Sequence, residues 1–174
     1  MNPSATDLLS HSEQDYIKTI YMQTRGGQPA GTAALASALQ IRPASVSGML
    51  QKLAEAEPAL IVYQKHRGVS LTEEGEAAAL QIIRRHRLIE QFLYDVLEYP
   101  LDRIHAEAEV LEHAVSDYFV ERLARLLREP GFDPHGEPIP DQDLTITDLR
   151  TLAPLSELAP GEQGAVRLIG DPSR

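Results

Sequence analysis

The sequence predicts a mainly α-helical fold that contains one short β-hairpin. Apolar residues recur at helical spacing in several segments, and Gly, Pro or polar turn residues separate these segments. After Pro58, two short apolar runs flank a polar turn, which is the pattern of a hairpin. The chain has 174 residues, of which 43% are hydrophobic, enough for one domain or two small ones. We predict three parts, over residues 1–75, 76–140 and 141–174.

Helical periodicity and capping residues predict the elements of the first part. Ser12 followed by Asp15 resembles a capping box that opens the first helix, and Thr32 can cap the second. Ile41-Arg-Pro43 makes a tight connection into the third. The predicted helices span about 12–23, 32–40 and 44–57. Two short helices joined by a few residues favour a helix-turn-helix.

A hairpin follows this helix pair, in the order of a winged helix-turn-helix. Leu60–Tyr63 and Val69–Leu71 have the composition of strands, and the polar turn Gln64–Gly68 joins them. Thr72 then opens a long helix.

The second part is predicted to be helical. Tyr99-Pro100 separates its first two helices, and Ser116 is the predicted N-cap of the third. The helices span about 72–97, 102–115 and 117–127. Asp133–Pro140 is too rich in proline for a helix or a sheet and is predicted to be a rigid loop. The tail from Leu155 contains short apolar pieces that indicate the first strands of a small, incomplete β module.

The helix-turn-helix predicts which residues meet DNA. Its second helix enters the major groove and presents its N-terminal turns to base edges, where small and hydroxylated side chains allow close approach. Lysines and arginines nearby are candidates for phosphate contacts. The candidate DNA-binding residues are Arg42, Pro43, Ala44, Ser45, Ser47, Gly48, Gln51, Lys52, Lys65 and Arg67, with Arg84 as a further phosphate contact. The alternative is a generic helical hairpin with solvated charges, but the wing in the expected order favours DNA binding.

Histidines and glutamates form a stripe in the segment His105–His113. On a helix every fourth residue of this segment faces the same way, and Glu112 lies beside them. His86 and Glu90 form a second pair, four residues apart on the long helix. Such groups repel once charged unless a cation lies among them, so we expect metal binding; the alternative is a solvated acidic face. Ligand geometry would group His86, Glu90 and His105 around one ion and Glu109, Glu112 and His113 around another, with Asp15 as an additional ligand.

The amino-acid composition limits the kind of metal site, the partners and the location that we expect. The chain has no cysteine, which excludes disulfides and thiolate metal sites. Nitrogen and oxygen ligands suit Mn(II), Fe(II), Co(II) or Zn(II), and the many carboxylates favour the harder ions. The net charge of −10 argues against indiscriminate DNA binding, yet basic residues outnumber acids between residues 42 and 72. No segment has the pattern of a signal peptide or a membrane span, so we expect a cytoplasmic location and no membrane partner.

Several motifs occur in a characteristic order. They are Asp15-Tyr-Ile-Lys-Thr-Ile-Tyr21, the winged helix, Arg85-His-Arg-Leu-Ile-Glu90, His105-Ala-Glu-Ala-Glu-Val-Leu-Glu-His113 and Pro134-His-Gly-Glu-Pro-Ile-Pro140. Over about residues 10–140 the chain resembles the diphtheria toxin repressor/manganese transport regulator family of metal-activated repressors. The tail from Leu155 resembles the opening of that family's C-terminal SH3-like module.

The resemblance implies a homodimeric repressor of operator DNA, with an N-terminal DNA-binding domain and a helical dimerisation domain. It implies Asp15, Glu109, Glu112 and His113 as the primary metal site, and His86, Glu90 and His105 as the ancillary site. Iron-responsive members typically have Met where Asp15 stands and Cys where Glu109 stands, so these carboxylates favour manganese. Lys18 occupies a position where manganese regulators without a third domain have a glutamate ligand.

We therefore predict a Mn(II)-responsive transcriptional repressor of metal-uptake genes, and not an enzyme. The alternatives are an Fe(II)-responsive repressor of the same family and a winged-helix regulator that senses a small organic ligand. Zn(II), Co(II) and Cd(II) are possible substitutes for the physiological ion. A di-metal enzyme would show Glu-x-x-His on two helices, whereas this chain has His-x-x-x-Glu and Glu-His.

Overall fold

A computed structural model describes residues 5–146, 157–159 and 161 of the chain. After a short 3-10 turn, Ala5–Leu8, its elements are α1 His11–Thr24, α2 Thr32–Ala38, α3 Pro43–Ala54, β1 Ile61–Gln64, β2 Gly68–Leu71, α4 Glu73–Asp95, α5 Leu101–Leu111 and α6 Asp117–Leu126. The prediction of a mainly helical fold with one hairpin is confirmed. The predicted β segment of the tail lies almost wholly outside the described residues. The chain divides into two compact units after Ile83, within α4.

The N-cap of helix α1 lies two residues earlier than the sequence pattern indicates. Ser10 is the N-cap: its hydroxyl accepts a hydrogen bond from the backbone N–H of Glu13, whose carboxylate accepts one from the backbone N–H of Ser10 at 2.9 Å. The capping box predicted at Ser12 and Asp15 is therefore wrong. The Ser10 box prevails because the buried Gln14 also donates to backbone carbonyls of the preceding 3-10 turn, which holds the chain at this entry angle.

Helices α2 and α3 form the predicted helix-turn-helix. The predicted cap at Thr32 is wrong, since Gly31 is the N-cap and no side-chain hydrogen bond caps α2. Gln40 adopts a left-handed conformation with φ of 54°, which ends the helix and turns the chain. Pro43 is the first residue of α3, where its fixed φ and missing N–H cost nothing.

The core of the first unit collects the apolar faces of its helices and of the hairpin. Its fully buried residues include Ile17, Ile20, Leu35, Val46, Leu50 and Val69. On α3, Val46, Leu50 and Leu53 recur at helical spacing and face this core, which leaves the opposite face of the helix open to solvent.

The hairpin β1–β2, which we call the wing, is antiparallel with Gln64 paired to Gly68. Ala30 adds an isolated bridge, because Ala30 and Val69 exchange backbone hydrogen bonds of 2.8 and 3.0 Å. Gly68 has φ of +102°, and a Cβ there would lie 2.7 Å from the Ala30 carbonyl oxygen. Glycine is therefore required for the wing to lie against the chain segment that precedes α2.

Thr72 caps α4 as predicted, since its hydroxyl accepts from the N–H of Gly75 at 3.1 Å and donates to the Ala59 carbonyl at 2.8 Å. Gly75 is buried, and a Cβ built on it would lie 1.8 Å from the Leu60 carbonyl oxygen. The first turn of α4 thus packs directly on the backbone that enters the wing.

The second unit packs the C-terminal half of α4 against α5 and α6. Its core consists of Leu88, Ile89, Leu93, Ile104, Ala108, Val120, Leu123, Ala124 and Ile139. Helix α5 ends at Leu111, so the predicted helix to about Val115 is wrong at its C-terminal end. Glu112 and His113 lie in the turn that follows, because the chain must reverse before Ser116, whose hydroxyl caps α6 as predicted. No helix within the described residues is long and apolar enough to cross a membrane.

Candidate functional site

The face of α3 that points away from the core carries the residues predicted to read DNA. Arg42, Pro43, Ala44, Ser45, Gly48, Gln51 and Lys52 are exposed, and Ser47 is half-buried. Lys65 and Arg67 are exposed in the turn of the wing. The surface is open at Gly48, since a Cβ built there would meet no heavy atom within 4 Å apart from its chain neighbours and its own helix backbone. Small side chains flanked by cations suit close approach to a polyanion.

One cation of this face is paired within the first unit. Lys52 Nζ lies 3.0 Å from Glu13 Oε1, which joins the C-terminal half of α3 to the start of α1. Burial by itself raises the pKa of Glu13, but hydrogen bonds from Ser10 and the charge of Lys52 outweigh burial and leave this pKa below its ordinary value. The carboxylate is therefore ionised at neutral pH, and its negative charge lies next to the Lys52 ammonium.

Arg84 is not a phosphate contact, which corrects the sequence prediction. Its side chain is only 7% exposed. Its guanidinium donates to the Pro140 carbonyl at 2.7 Å and pairs with Glu129 at 3.4 Å and Glu121 at 3.7 Å. Charge alone indicated a DNA contact, but the packing of the second unit turns this arginine inward, where it holds the proline-rich loop.

Arg87 holds the same loop from the next turn of α4. It donates to the Pro138 carbonyl and, at 3.1 Å, to a carboxylate oxygen of Glu137. Asp133 in turn accepts from the backbone N–H groups of His135 and Glu137 at 2.8 and 2.9 Å. Burial, opposed by the hydrogen bond from Glu137, raises the pKa of Asp133 above its ordinary value. As predicted, this segment forms neither a helix nor a strand, and two buried arginines tie it to α4.

Five of the predicted metal ligands meet in the second unit and form what we call the His/Glu cluster: His86, Glu90, His105, Glu109 and Glu112. His86 Nδ1 lies 2.5 Å from Glu112 Oε2, and His86 Nε2 lies 3.1 Å from both Glu90 Oε1 and His105 Nδ1. His105 Nδ1 is 3.0 Å from Glu90 Oε1, and His105 Nε2 is 3.7 Å from Glu109 Oε1. The two imidazole rings meet edge to face, with centroids 4.9 Å apart.

The cluster runs from a buried end to an exposed end. The side chains of Glu112 and Glu90 are 0% and 3% exposed, whereas those of His105 and Glu109 are 65% and 41% exposed. Burial raises the pKa of Glu90, but hydrogen bonds from His86 and His105 and the charges of His86 and His135 outweigh it and leave this pKa below its ordinary value. Buried carboxylates need a compensating cation, and solvent can deliver one at the exposed end.

The donor set fits a divalent transition metal. One ligand atom each from His86, His105 and Glu109 lies within 4.8 Å of the other two. Ligand atoms that each bind one ion at about 2.0–2.3 Å are at most about 4.6 Å apart, so small side-chain adjustments suffice. The donors are imidazole nitrogens and carboxylate oxygens without sulfur, which suits the first-row divalent ions.

The structure does not keep the two predicted ligand sets apart within this unit. Glu112, predicted for the primary set, contacts His86 of the ancillary set, and it also lies 3.6 Å from the imidazole of His113. Glu112 extends the buried row of Ile104 and Ala108, because its backbone is still helical and its N–H donates to the Ala108 carbonyl, so its side chain points inward. Asp15 is half-buried on α1, in the first unit.

Sequence analysis did not name His135 as a candidate ligand. His135 Nε2 lies 3.8 Å from Glu90 Oε1, so Glu90 has three imidazoles within 4 Å. The available signal was the position of this histidine in the proline-rich loop, but nothing in the sequence showed that buried arginines bring that loop to α4.

Comparison with known proteins shows what the chain is related to. The family model described as "Iron dependent repressor, N-terminal DNA binding domain" matches residues 8–69. The one described as "Iron dependent repressor, metal binding and dimerisation domain" matches residues 72–141. The HTH-type transcriptional regulator MntR of Lysinibacillus sphaericus is 35% identical over 117 residues, which are 67% of this chain and 82% of that protein. The chain belongs to the diphtheria toxin repressor/manganese transport regulator family.

Two further members of the family differ from this chain in length. The diphtheria toxin repressor of Corynebacterium jeikeium is 34% identical over 137 residues, which are 79% of this chain and 56% of that protein. A solved structure described as a manganese-dependent transcriptional repressor in complex with manganese superposes with a TM-score of 0.70 at 40% identity, covering 78% of this chain and 62% of that one. The chain thus spans little more than half the length of these relatives.

Family membership confirms the resemblance inferred from the motif order. Both family models describe parts of a repressor, so the prediction that the chain is not an enzyme is also confirmed. The helix-turn-helix and most of the wing fall within the DNA-binding match, and the His/Glu cluster falls within the metal-binding and dimerisation match.

Proposed function

We propose that this chain is a Mn(II)-activated transcriptional repressor that binds duplex operator DNA as a homodimer and controls metal-uptake genes. The observation that carries the proposal is the His/Glu cluster, in which the buried carboxylates of Glu90 and Glu112 contact imidazole nitrogens. The exposed face of α3 supplies the second requirement, a surface shaped for the major groove.

The proposed ligands follow the family pattern. His86, Glu90 and His105 form the ancillary set, and Asp15, Glu109, Glu112 and His113 form the primary set. The contact between His86 and Glu112 supports a further expectation, that the two sets are coupled. A substitution at Glu112 then weakens metal binding at both, because His86 loses the group that orients its ring.

Manganese is favoured by the donor atoms at two positions. Asp15 and Glu109 are carboxylates where iron-responsive relatives typically have Met and Cys, and carboxylate ligands suit the harder Mn(II). An Fe(II) response is the alternative, since the matching family models are described as iron-dependent. Zn(II), Co(II) and Cd(II) suit the same donors and are expected to act as substitutes in vitro.

Activation is proposed to act by linkage between metal binding and DNA binding. A metal ion that favours the DNA-binding arrangement of the chain raises its affinity for DNA, and DNA then raises its affinity for the metal by the same factor.

Exposed apolar side chains of the second unit are proposed to contact a second copy of the chain. Tyr94, Leu97, Leu101, Val110, Phe119 and Leu126 are large apolar side chains that are exposed in the described structure. Burial of such side chains between two copies would stabilise the proposed homodimer.

DNA binding of purified protein, measured by fluorescence anisotropy, tests this function. The duplex is selected from a random pool in the presence of Mn(II), so no operator need be known. Mn(II), anaerobic Fe(II) and Zn(II) are compared with a chelator, for the wild type, Glu109→Ala and Glu107→Ala. Glu107 is the matched control, because it is an exposed glutamate on the same helix and lies outside the His/Glu cluster.

The proposal predicts that Mn(II) activates the wild type and Glu107→Ala, and that Glu109→Ala responds weakly or not at all. Binding of Mn(II) itself, followed by isothermal titration calorimetry, should fall for Glu109→Ala alone. Equal DNA binding with metal and with chelator would refute metal activation. A stronger response to Fe(II) than to Mn(II) would replace manganese by iron.

A further inference from the structure

We propose that Glu13 sets the DNA affinity of this chain by holding Lys52 in an intramolecular ion pair that competes with DNA phosphate. The inference rests on the proposed function, since Lys52 belongs to the DNA-binding face of α3. It adds a control on affinity that is separate from the metal ligands and acts through the charge of a single cation.

The geometry of the pair is asymmetric. Lys52 Nζ lies 3.0 Å from Glu13 Oε1, with the lysine side chain 66% exposed and that of the glutamate 10% exposed. Glu13 Oε2 accepts from the backbone N–H of Ser10 at 2.9 Å and from its hydroxyl at 2.7 Å. One carboxylate oxygen thus anchors the group to the helix cap, and the other faces the lysine.

This anchoring makes Glu13 an effective competitor. Most exposed ion pairs are weak because two mobile side chains must both be ordered. Here the capping box already fixes the carboxylate, so only Lys52 loses conformational freedom. A DNA phosphate must therefore displace, or approach next to, a carboxylate that is held in place.

Lys65 and Arg67 differ from Lys52 in their ion pairing. Both are exposed in the turn of the wing, and neither has an ion pair among the contacts of the described residues. Their charges are available to phosphate, whereas the charge of Lys52 is partly neutralised. The proposal therefore assigns unequal roles to cations that the sequence treats alike.

A double-mutant cycle isolates the effect. Glu13→Gln removes the negative charge but keeps the cap, because glutamine serves as well as glutamate at this position of a capping box. Lys52→Gln removes the cation, and the third variant carries both substitutions. Affinity for the fluorescent duplex selected in the presence of Mn(II) is measured at saturating Mn(II) over about 50–300 mM salt, because the salt dependence of binding reports the phosphate contacts.

Glu13→Gln is expected to bind this duplex about two- to fivefold more tightly at low salt, the worth of one exposed ion pair. Its plot of log K against log salt should be steeper by about 0.9 per protomer, since one more phosphate is neutralised. Lys52→Gln should change the slope little in the wild type and by about 0.9 in the Glu13→Gln background.

Two controls make the result decisive. Glu74→Gln changes the net charge equally at an exposed position at the start of α4, and it should leave the slope unchanged. Mn(II) binding by calorimetry must be the same in Glu13→Gln and the wild type, because Glu13 is two residues from Asp15.

Equal slopes for the wild type and Glu13→Gln would overturn the inference, and so would an equal rise in Glu74→Gln. A lower melting temperature for Glu13→Gln without a change in slope would assign the pair a structural role instead. If the wild type binds no duplex, with or without Mn(II), the proposed function and this inference both fail. If the wild type binds DNA but has the same slope as Glu13→Gln, only this inference fails.

Discussion

Replacement of Arg84 by Met should destabilise the second unit without weakening DNA binding. Arg84 stands in an arginine-rich stretch of α4 that composition alone marks as a DNA contact, yet its side chain is 7% exposed and serves the loop that carries His135. Met keeps much of the apolar stem and removes the guanidinium. The variant therefore separates a structural role from an electrostatic one.

The expected loss of unfolding free energy is estimated from the three contacts that the Arg84 guanidinium makes. Loss of the donor to the buried Pro140 carbonyl, now at 2.7 Å, should cost about 1–3 kcal/mol. The pairs with Glu129 and Glu121 contribute at most about 1 kcal/mol each, because those carboxylates are 44% and 40% exposed and water screens them. We expect a total of about 2–4 kcal/mol, which lowers the melting temperature by roughly 10 °C or more for a unit of this size.

Urea and thermal unfolding followed by circular dichroism measure this loss. Arg122→Met is the matched control, because Arg122 is an exposed arginine on α6 in the same unit, and its replacement should change stability by less than about 0.5 kcal/mol. Equal stability of Arg84→Met and the wild type would refute the structural role. A reduction of the salt slope for DNA binding by about 0.9 would show that Arg84 contacts phosphate after all.

Three further predictions concern the helix cap, the wing and the metal. Ser10→Ala should lower the free energy of unfolding by about 1 kcal/mol in a denaturant titration, because Glu13 loses its capping partner, and an unchanged midpoint would contradict the assigned cap. Gly75→Ala should lower the free energy of unfolding by about 3 kcal/mol or more in the same titration, since its Cβ would lie 1.8 Å from the Leu60 carbonyl oxygen. A soluble variant with wild-type stability would disprove this close packing. Mn(II) at about 100 times its dissociation constant should stabilise the wild type by about 2.7 kcal/mol in thermal unfolding. A chelator should reverse this stabilisation, and Glu109→Ala should show less of it. Identical unfolding curves with and without metal would rule out a metal site in the folded state.

Local patterns predicted most of the architecture, because each depends on residues close together in the chain. Helical spacing predicted α2 and α3, although these helices end two and three residues earlier than predicted, and the polar turn placed the wing to within one residue. The errors fall where two local signals compete. Ser10 with Glu13 and Ser12 with Asp15 have the same spacing, and only the contacts of the buried Gln14 select the first.

The sequence predicted which residues form the candidate site, but not all of the contacts between them. Spacing of four residues placed His86 next to Glu90 and His105 next to Glu109. No spacing could pair His86 with Glu112, which are 26 residues apart and meet because α5 packs its buried face against α4. The proximity of His135 to Glu90 likewise depends on a loop that α4 holds from a distance in sequence.

The sequence by itself determined the helices, the wing, the family and the type of metal donor, since periodicity, capping residues and side-chain chemistry are local properties. Tertiary structure decided which charges are available. It turned Arg84 and Arg87 inward to backbone carbonyls, paired Lys52 with a carboxylate that the helix cap fixes, and buried Glu112 against His86. The physical reason is that the effect of a charge depends on its burial and on its partners, and partners distant in sequence are chosen only when the core packs.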